Sequence, residues 1–130
     1  MPGNIEDYIK YRISKSKEIF EDAKLLKVNL RWNSCVNRLY YSSFYLVSAL
    51  LHKNGIKAES HNGTKTQFNL HFVKTEVVSK DLGRLYARLF DWRQESDYAD
   101  FIEFDEATVI VLFEEVEIFN LKIFNLIQDS

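Results

Sequence analysis

Apolar positions recur every three to four residues, roughly, through most of the chain, the spacing of helices with one buried face. The first such stretch runs from about Ile5 to Lys27, with Ile5, Tyr8, Ile9, Ile13, Ile19, Phe20, Ala23 and Leu26 in step. Asn4 stands before it as an N-cap, and Glu6 and Asp7 suit the positive end of the helix dipole. The second runs from about Leu30 to Asn54. There Trp32, Cys35, Val36, Leu39, Tyr40, Ser43, Val47, Leu50 and Leu51 make a broad face, and Gly55 is a C-terminal stop. The polar run "GIKAESHNGTKT" then reads as a long loop, followed by a short helix from Gln67 to Lys74.

A fourth helix starts after Ser79, a cap residue, and carries Leu82, Leu85, Tyr86, Leu89, Phe90 and Trp92. The fifth follows Asp105 through "ATVIVLFEEVEIFNLKIFNLI". Its Val-Ile-Val opening has strand propensity. The continuation through Phe113, Val116, Phe119, Leu121, Phe124 and Leu126 favours helix. With one Pro and four Gly the chain has few breakers, and no repeat or linker divides it. The expected fold is all-α, an up-and-down bundle of four to five helices forming one domain over residues 1–130.

Composition agrees with a packed globule. Hydrophobic residues are 46% and charged residues 28%, and the 15% aromatic content, with ten Phe and seven Tyr, predicts a ring-rich core. The lone Cys35 allows no internal disulfide, which suits a reducing compartment. The N-terminus lacks an apolar run after its charges and no stretch approaches a membrane span, so a soluble, cytoplasmic protein is expected. A net charge of −2 argues against a general nucleic-acid coat but leaves room for a small local basic site.

Most catalytic chemistry is missing from the sequence. The glycines form no phosphate loop, and His52, His61 and His71 lack metal-ligand spacing. His52 reads as a surface residue favoured by the helix dipole, His61 as a loop residue and His71 as half-buried. Cys35 lies on an apolar face as an inert thiol. The acidic set Asp91, Glu95, Asp97, Asp100, Glu103 and Asp105 lacks calcium-loop spacing and reads as a solvated corner. No cofactor and no metal are expected. In "NRLYYSSFYL", Tyr40, Phe44 and Val47 fall at core spacing, whereas Arg38 must face solvent or meet a carboxylate. Arg93 has Asp97 one turn later on the same helix face, a pair worth a few tenths of a kcal/mol, about 0.2–0.5.

Three segments, taken in order, carry a resemblance: "NRLYYSSFYLVSALL", "SHNGTKTQFNLHFVK" and "LFDWRQESDYADF". The chain resembles the HEPN superfamily (higher eukaryotes and prokaryotes nucleotide-binding domain), above all its small stand-alone prokaryotic members, over nearly its whole length. The resemblance implies a helical bundle that dimerises. It also implies, for many members, metal-independent RNA cleavage by an arginine and a histidine four to six residues later, at the dimer interface. Arg93 falls at the arginine position, and Tyr98 stands where the histidine is expected. A phenol with a pKa near ~10 is a poor base at neutral pH. Small HEPN proteins also pair with minimal nucleotidyltransferases in toxin–antitoxin systems, where a tyrosine near the motif can be nucleotidylated; Tyr98 is the residue of that type and place here.

Three functional expectations follow from these residues. The first is a nucleotide- or RNA-binding protein acting with a nucleotidyltransferase partner, with Arg38, His61, Arg93, Asp97 and Tyr98 as its binding residues. The second is an endoribonuclease with Arg93 as phosphate clamp and Tyr98 or His61 in support. The third is a non-catalytic dimerisation domain whose acidic corner is structural.

Overall fold

The computed structural model describes residues 4–97 and 103–129, with residues 95 and 96 described by their backbone alone. Every regular element among the described residues is helical: α1 (Ile5–Val28), α2 (Trp32–Lys53), α3 (His61–Phe68), a π-helical turn (Asn69–Val73), α4 (Lys80–Asp97) and α5 (Glu106–Asp129). Asn4 caps α1 as its type predicts, its side-chain oxygen accepting from the Asp7 amide at 3.0 Å. The Val-Ile-Val opening of α5 is helical, because Val109, Leu112, Phe113, Val116 and Phe119 together make a buried helical face.

The turns between helices are built from specific hydrogen bonds. After α2, Gly55 takes φ 70°, and the Ile56 amide reaches back to the Leu51 carbonyl at 2.9 Å. This is the Schellman arrangement that glycine favours. The same arrangement ends α1, where Arg31 N–H bonds Leu26 O at 2.8 Å and Leu30 N–H bonds Lys27 O at 3.1 Å. The left-handed position there is held by Leu30, with φ 60° and an exposed side chain.

Helix α2 is the axis of the bundle and packs against α1, α3, α4 and α5. Val36, Leu39, Tyr40, Val47, Ala49 and Leu50 on it are fully enclosed. Tyr86, Phe68 and Phe119 form a ring stack beside it, with Tyr86 and Phe119 parallel within 13° at 5.7 Å. A polar seam runs through this apolar interior. Ser16 Oγ donates to Ser42 O at 2.6 Å, Asn120 Nδ2 to Ser42 Oγ at 3.1 Å, and Ser43 Oγ to Asn120 Oδ1 at 2.8 Å. Buried hydroxyls are costly unless bonded, so these bonds fix how α1, α2 and α5 align.

Two sequence expectations change here. The run written as a loop is half helix: α3 begins at His61 rather than Gln67. Ser60 supplies the reason, since its Oγ accepts from the Gly63 amide at 2.8 Å and caps a segment whose Asn-Gly-Thr composition disfavours helix. The short helix expected from Gln67 to Lys74 is the end of α3 continued by the π-helical turn, in which Lys74 N–H bonds Asn69 O at 2.8 Å. No helix among the described residues is long and apolar enough to cross a membrane.

Candidate functional site

One corner of the bundle gathers side chains from α2, α3 and α4. On α4, Tyr86, Phe90, Arg93 and Asp97 follow one another at helical spacing along one side. On α2, Asn37, Tyr40, Tyr41 and Phe44 do the same. The first turn of α3 lays His61 against the α2 set, with ring centres 4.5 Å from Phe44, 5.6 Å from Tyr41 and 5.7 Å from Tyr40.

Arg93 is at the centre. Its guanidinium lies 5.2 Å from the Tyr40 ring centre and 5.8 Å from that of Phe90, and its side chain is only 14% exposed. Its Nη1 is 3.6 Å from Asp97 Oδ2, the pairing that the four-residue spacing predicts. The other carboxylate oxygen, Oδ1, accepts from Asn37 Nδ2 at 3.0 Å. Asn37 Oδ1 in turn accepts from Arg38 Nε at 3.0 Å and Nη2 at 2.7 Å. One carboxylate and one amide thus link two guanidiniums. Arg38 therefore neither stands free in solvent nor meets a carboxylate directly: it is half-buried, bonded to an amide oxygen and set 5.0 Å from the Tyr41 ring.

Across the corner the Tyr40 hydroxyl and His61 Nδ1 are 2.9 Å apart. Burial pushes the Tyr40 phenol up to about 12, although the neighbouring Tyr86 hydroxyl and Arg93 favour its ionised form. Tyr86 is raised further by complete burial, and its hydroxyl makes no hydrogen bond of full geometry although it lies near enough to influence Tyr40. His61 is held below the usual histidine value, first by burial and second by the Arg93 charge. At neutral pH the corner therefore holds a neutral imidazole, a protonated phenol and a cation. A neutral imidazole can accept a proton, and a guanidinium can stabilise negative charge.

The sequence-derived residues divide as follows. Arg93, Asp97, Arg38 and His61 meet in this corner, whereas Tyr98 and Asp100 lie outside the described residues. His61 is the first residue of a helix, not part of a loop. His71 is exposed rather than half-buried, with Nε2 3.1 Å from Gln67 Oε1. His52 is half-buried and packs edge-on against Tyr8 at 4.6 Å. Its pKa is lowered by burial and by Arg12, opposite to what a helix dipole alone would do. Cys35 is fully buried, with its thiol pushed up to about 11, as an inert core thiol should be. No group of acidic, histidine and cysteine side chains suited to a metal occurs among the described residues.

Residue-by-residue reading missed Asn37 and Lys65. Lys65 places its ammonium 4.5 Å from the Phe90 ring centre, on the ring that Arg93 also approaches. The available signal was position: Asn37 begins the row that continues through Tyr40 or Tyr41 to Phe44, and Lys65 is one turn beyond His61.

A small all-helical bundle with an arginine-centred polar corner at the meeting of three helices is the class of protein this geometry defines. The HEPN domain model matches residues 9–122. The chain belongs to the HEPN family. It is 43% identical to a UPF0332 protein of Thermotoga maritima over 124 residues, covering 95% of this chain and 94% of that one. A Methanocaldococcus jannaschii protein named a putative toxin is 30% identical over 105 residues, covering 81% of this chain and 67% of the relative. A UPF0332 protein of Archaeoglobus fulgidus is 29% identical over 125 residues, covering 95% and 98% respectively.

Proposed function

We propose that the chain is a nucleotide- or RNA-binding HEPN protein that engages phosphate at the Arg93 corner and acts with a minimal nucleotidyltransferase in a toxin–antitoxin pair. The observation that carries this reading is the setting of Arg93. Its guanidinium lies against two rings and is tethered by Asp97, at the edge where His61 and Arg38 also converge. A cation so oriented loses little freedom on meeting a phosphate, and such charge-assisted bonds are among the stronger ones. The name of the Methanocaldococcus jannaschii relative supports the toxin setting. Tyr98, five positions beyond Arg93 in the sequence, is the proposed acceptor if the partner transfers a nucleotide.

Calorimetry with mononucleotide, short RNA and a purified nucleotidyltransferase is the test. Binding to one of them, lost in Arg93→Ala, is expected. Wild-type protein that binds none of the three ends this reading.

A second reading is favoured by the His61 geometry. An endoribonuclease of this family with tyrosine in the histidine position needs its imidazole from elsewhere, and His61 lies in the Arg93 corner with its pKa low enough to be neutral. In this reading neutral His61 accepts the proton of the RNA 2′-hydroxyl as that oxygen bonds to phosphorus. The P–O5′ bond breaks with the leaving oxygen taking a proton from water, and Arg93 stabilises charge on the phosphate. RNA cleaved in excess chelator, with activity lost in both His61→Ala and Arg93→Ala, is the expected result. Intact RNA at high enzyme concentration removes it. The protein is also proposed to act as a homodimer, which equilibrium sedimentation would detect.

A further inference from the structure

A second basic feature lies beside the Arg93 corner and shares Lys65 with it. The end of α3, the π-helical turn and the start of α4 enclose an open depression of about 400 Å³. Lys65, Lys74 and Lys80 line it, and Thr66 and Asn69 add polar groups. Among the described residues no carboxylate lines it, in a chain whose net charge is −2. The acidic residues nearest in sequence are Glu76 and Asp81, and Asp81 is held by Arg84 at 3.0 Å. Among the described residues none of the three lysines makes an ion pair with a carboxylate.

Like charges brought around one depression repel, and an anion between them relieves the repulsion. Lys65 joins this depression to the Arg93 corner. Its ammonium lies 4.5 Å from the Phe90 ring centre, and the Arg93 guanidinium lies 5.8 Å from the same ring. The two cations therefore approach one aromatic side chain. Cations so placed can track successive phosphates of a single strand, and with Phe90 itself buried the contribution is electrostatic rather than stacking. A π-helical turn at the edge of the depression is a further mark, since such turns occur often at functional sites.

We propose that the Lys65–Lys74–Lys80 depression is a second phosphate subsite, holding the backbone of the same single-stranded RNA whose reactive or terminal phosphate lies at Arg93. The inference rests on the phosphate-binding reading of the Arg93 corner and extends it to the substrate's chain length. A mononucleotide reaches only the Arg93 corner. An oligonucleotide spans both sites, so length adds affinity, and the added part is electrostatic.

The test compares AMP with a labelled single-stranded RNA of about ten nucleotides, within the range such grooves occupy. The protein variants are Lys74→Ser/Lys80→Ser, both at exposed positions, and Arg93→Ala. In the lysine variant, oligonucleotide affinity should fall roughly tenfold at low salt, and the salt slope should flatten by about 1.4, from two lost single-strand phosphate contacts. AMP affinity should not change. Oligonucleotide affinity and salt slope equal to wild type would overturn the subsite while leaving the Arg93 reading intact. Loss in the lysine variant with no effect of Arg93→Ala would overturn the Arg93 reading and leave the lysine subsite standing. Polyglutamate competing as well as RNA would overturn the assignment to nucleic acid.

Discussion

The Tyr40 hydroxyl of α2 lies 2.9 Å from Nδ1 of His61, the first residue of α3. This contact is the polar tie between the axis of the bundle and the helix that brings His61 and Lys65 to the Arg93 corner. Tyr40→Phe keeps the ring and removes the tie. The expected loss is about 1 kcal/mol of stability, the usual net worth of such a bond, read in urea denaturation. A stability equal to wild type would show that the hydroxyl contributes nothing to docking α3.

Arg93 also acts on His61 through space. Its charge is the second cause of the depressed His61 pKa, after burial. Arg93→Gln removes the charge, so the His61 pKa should rise towards 6.5, the value of a free histidine. An NMR titration of the imidazole carbon protons reads this directly. An unchanged or lower pKa would contradict the juxtaposition.

Two depressed histidines make folding sensitive to mild acid. His52 and His61 both have folded-state values below the unfolded value of 6.5. The unfolded chain therefore binds more protons between the folded pKa and 6.5, and stability rises with pH across that window. Thermal midpoints should fall as pH is lowered from 7 towards 5, before carboxylates protonate. A His52→Gln/His61→Gln variant should show a flatter profile over the same interval.

Leu30 offers a gain rather than a loss. Its left-handed backbone, φ 60°, costs a branched side chain energy that glycine does not incur, and its side chain is exposed. Leu30→Gly should therefore stabilise the protein by about 0.5–1 kcal/mol, after the greater freedom of glycine in the unfolded chain is offset. A higher thermal midpoint with unchanged ligand binding is the expected result.

Gly83 should behave in the opposite way. In an exposed helix interior Gly→Ala gains about 1 kcal/mol. Here an added Cβ would sit 2.7 Å from Val73 Cγ1 and 3.0 Å from Cγ2. The stiff valine cannot swing aside cheaply. Gly83→Ala should destabilise by about 1–3 kcal/mol and, by shifting α4 against the π-helical turn, disturb the lysine depression.

What could be read in the sequence followed local chemistry. Asn4 and Gly55 mark their helix ends because a side-chain oxygen and a missing Cβ act on the nearest turns. The Arg93–Asp97 pair was legible because both residues lie on one helix, four positions apart. Residues that depend on other helices were not legible. Nothing near His52 in the sequence shows that Tyr8 of α1 packs on it, or that Arg12 lowers its pKa. The start of α3 was hidden because Asn62, Gly63 and Thr64 are weak helix formers. Their helix depends on the Ser60 cap, the enclosed Thr64 and the rings of α2 around His61. Arg38 was read with only two outcomes because its amide partner, Asn37, is its sequence neighbour and is oriented by Asp97 from α4.

The π-helical turn gives the length of its segment a meaning separate from its composition. An α-helix advances about 100° per residue, so two residues nine positions apart in an uninterrupted helix would face opposite ways. Lys65 and Lys74 are spaced so, yet both line one depression, because the turn from Asn69 to Val73 takes up one residue more than an α-helical turn. Adding one residue to that turn would carry Lys74 about 100° further round and away from Lys65, whereas removing one would leave ordinary α-helix with the two lysines still on one side. In this segment an insertion rewrites the surface more thoroughly than most substitutions, so the number of residues is itself inherited information.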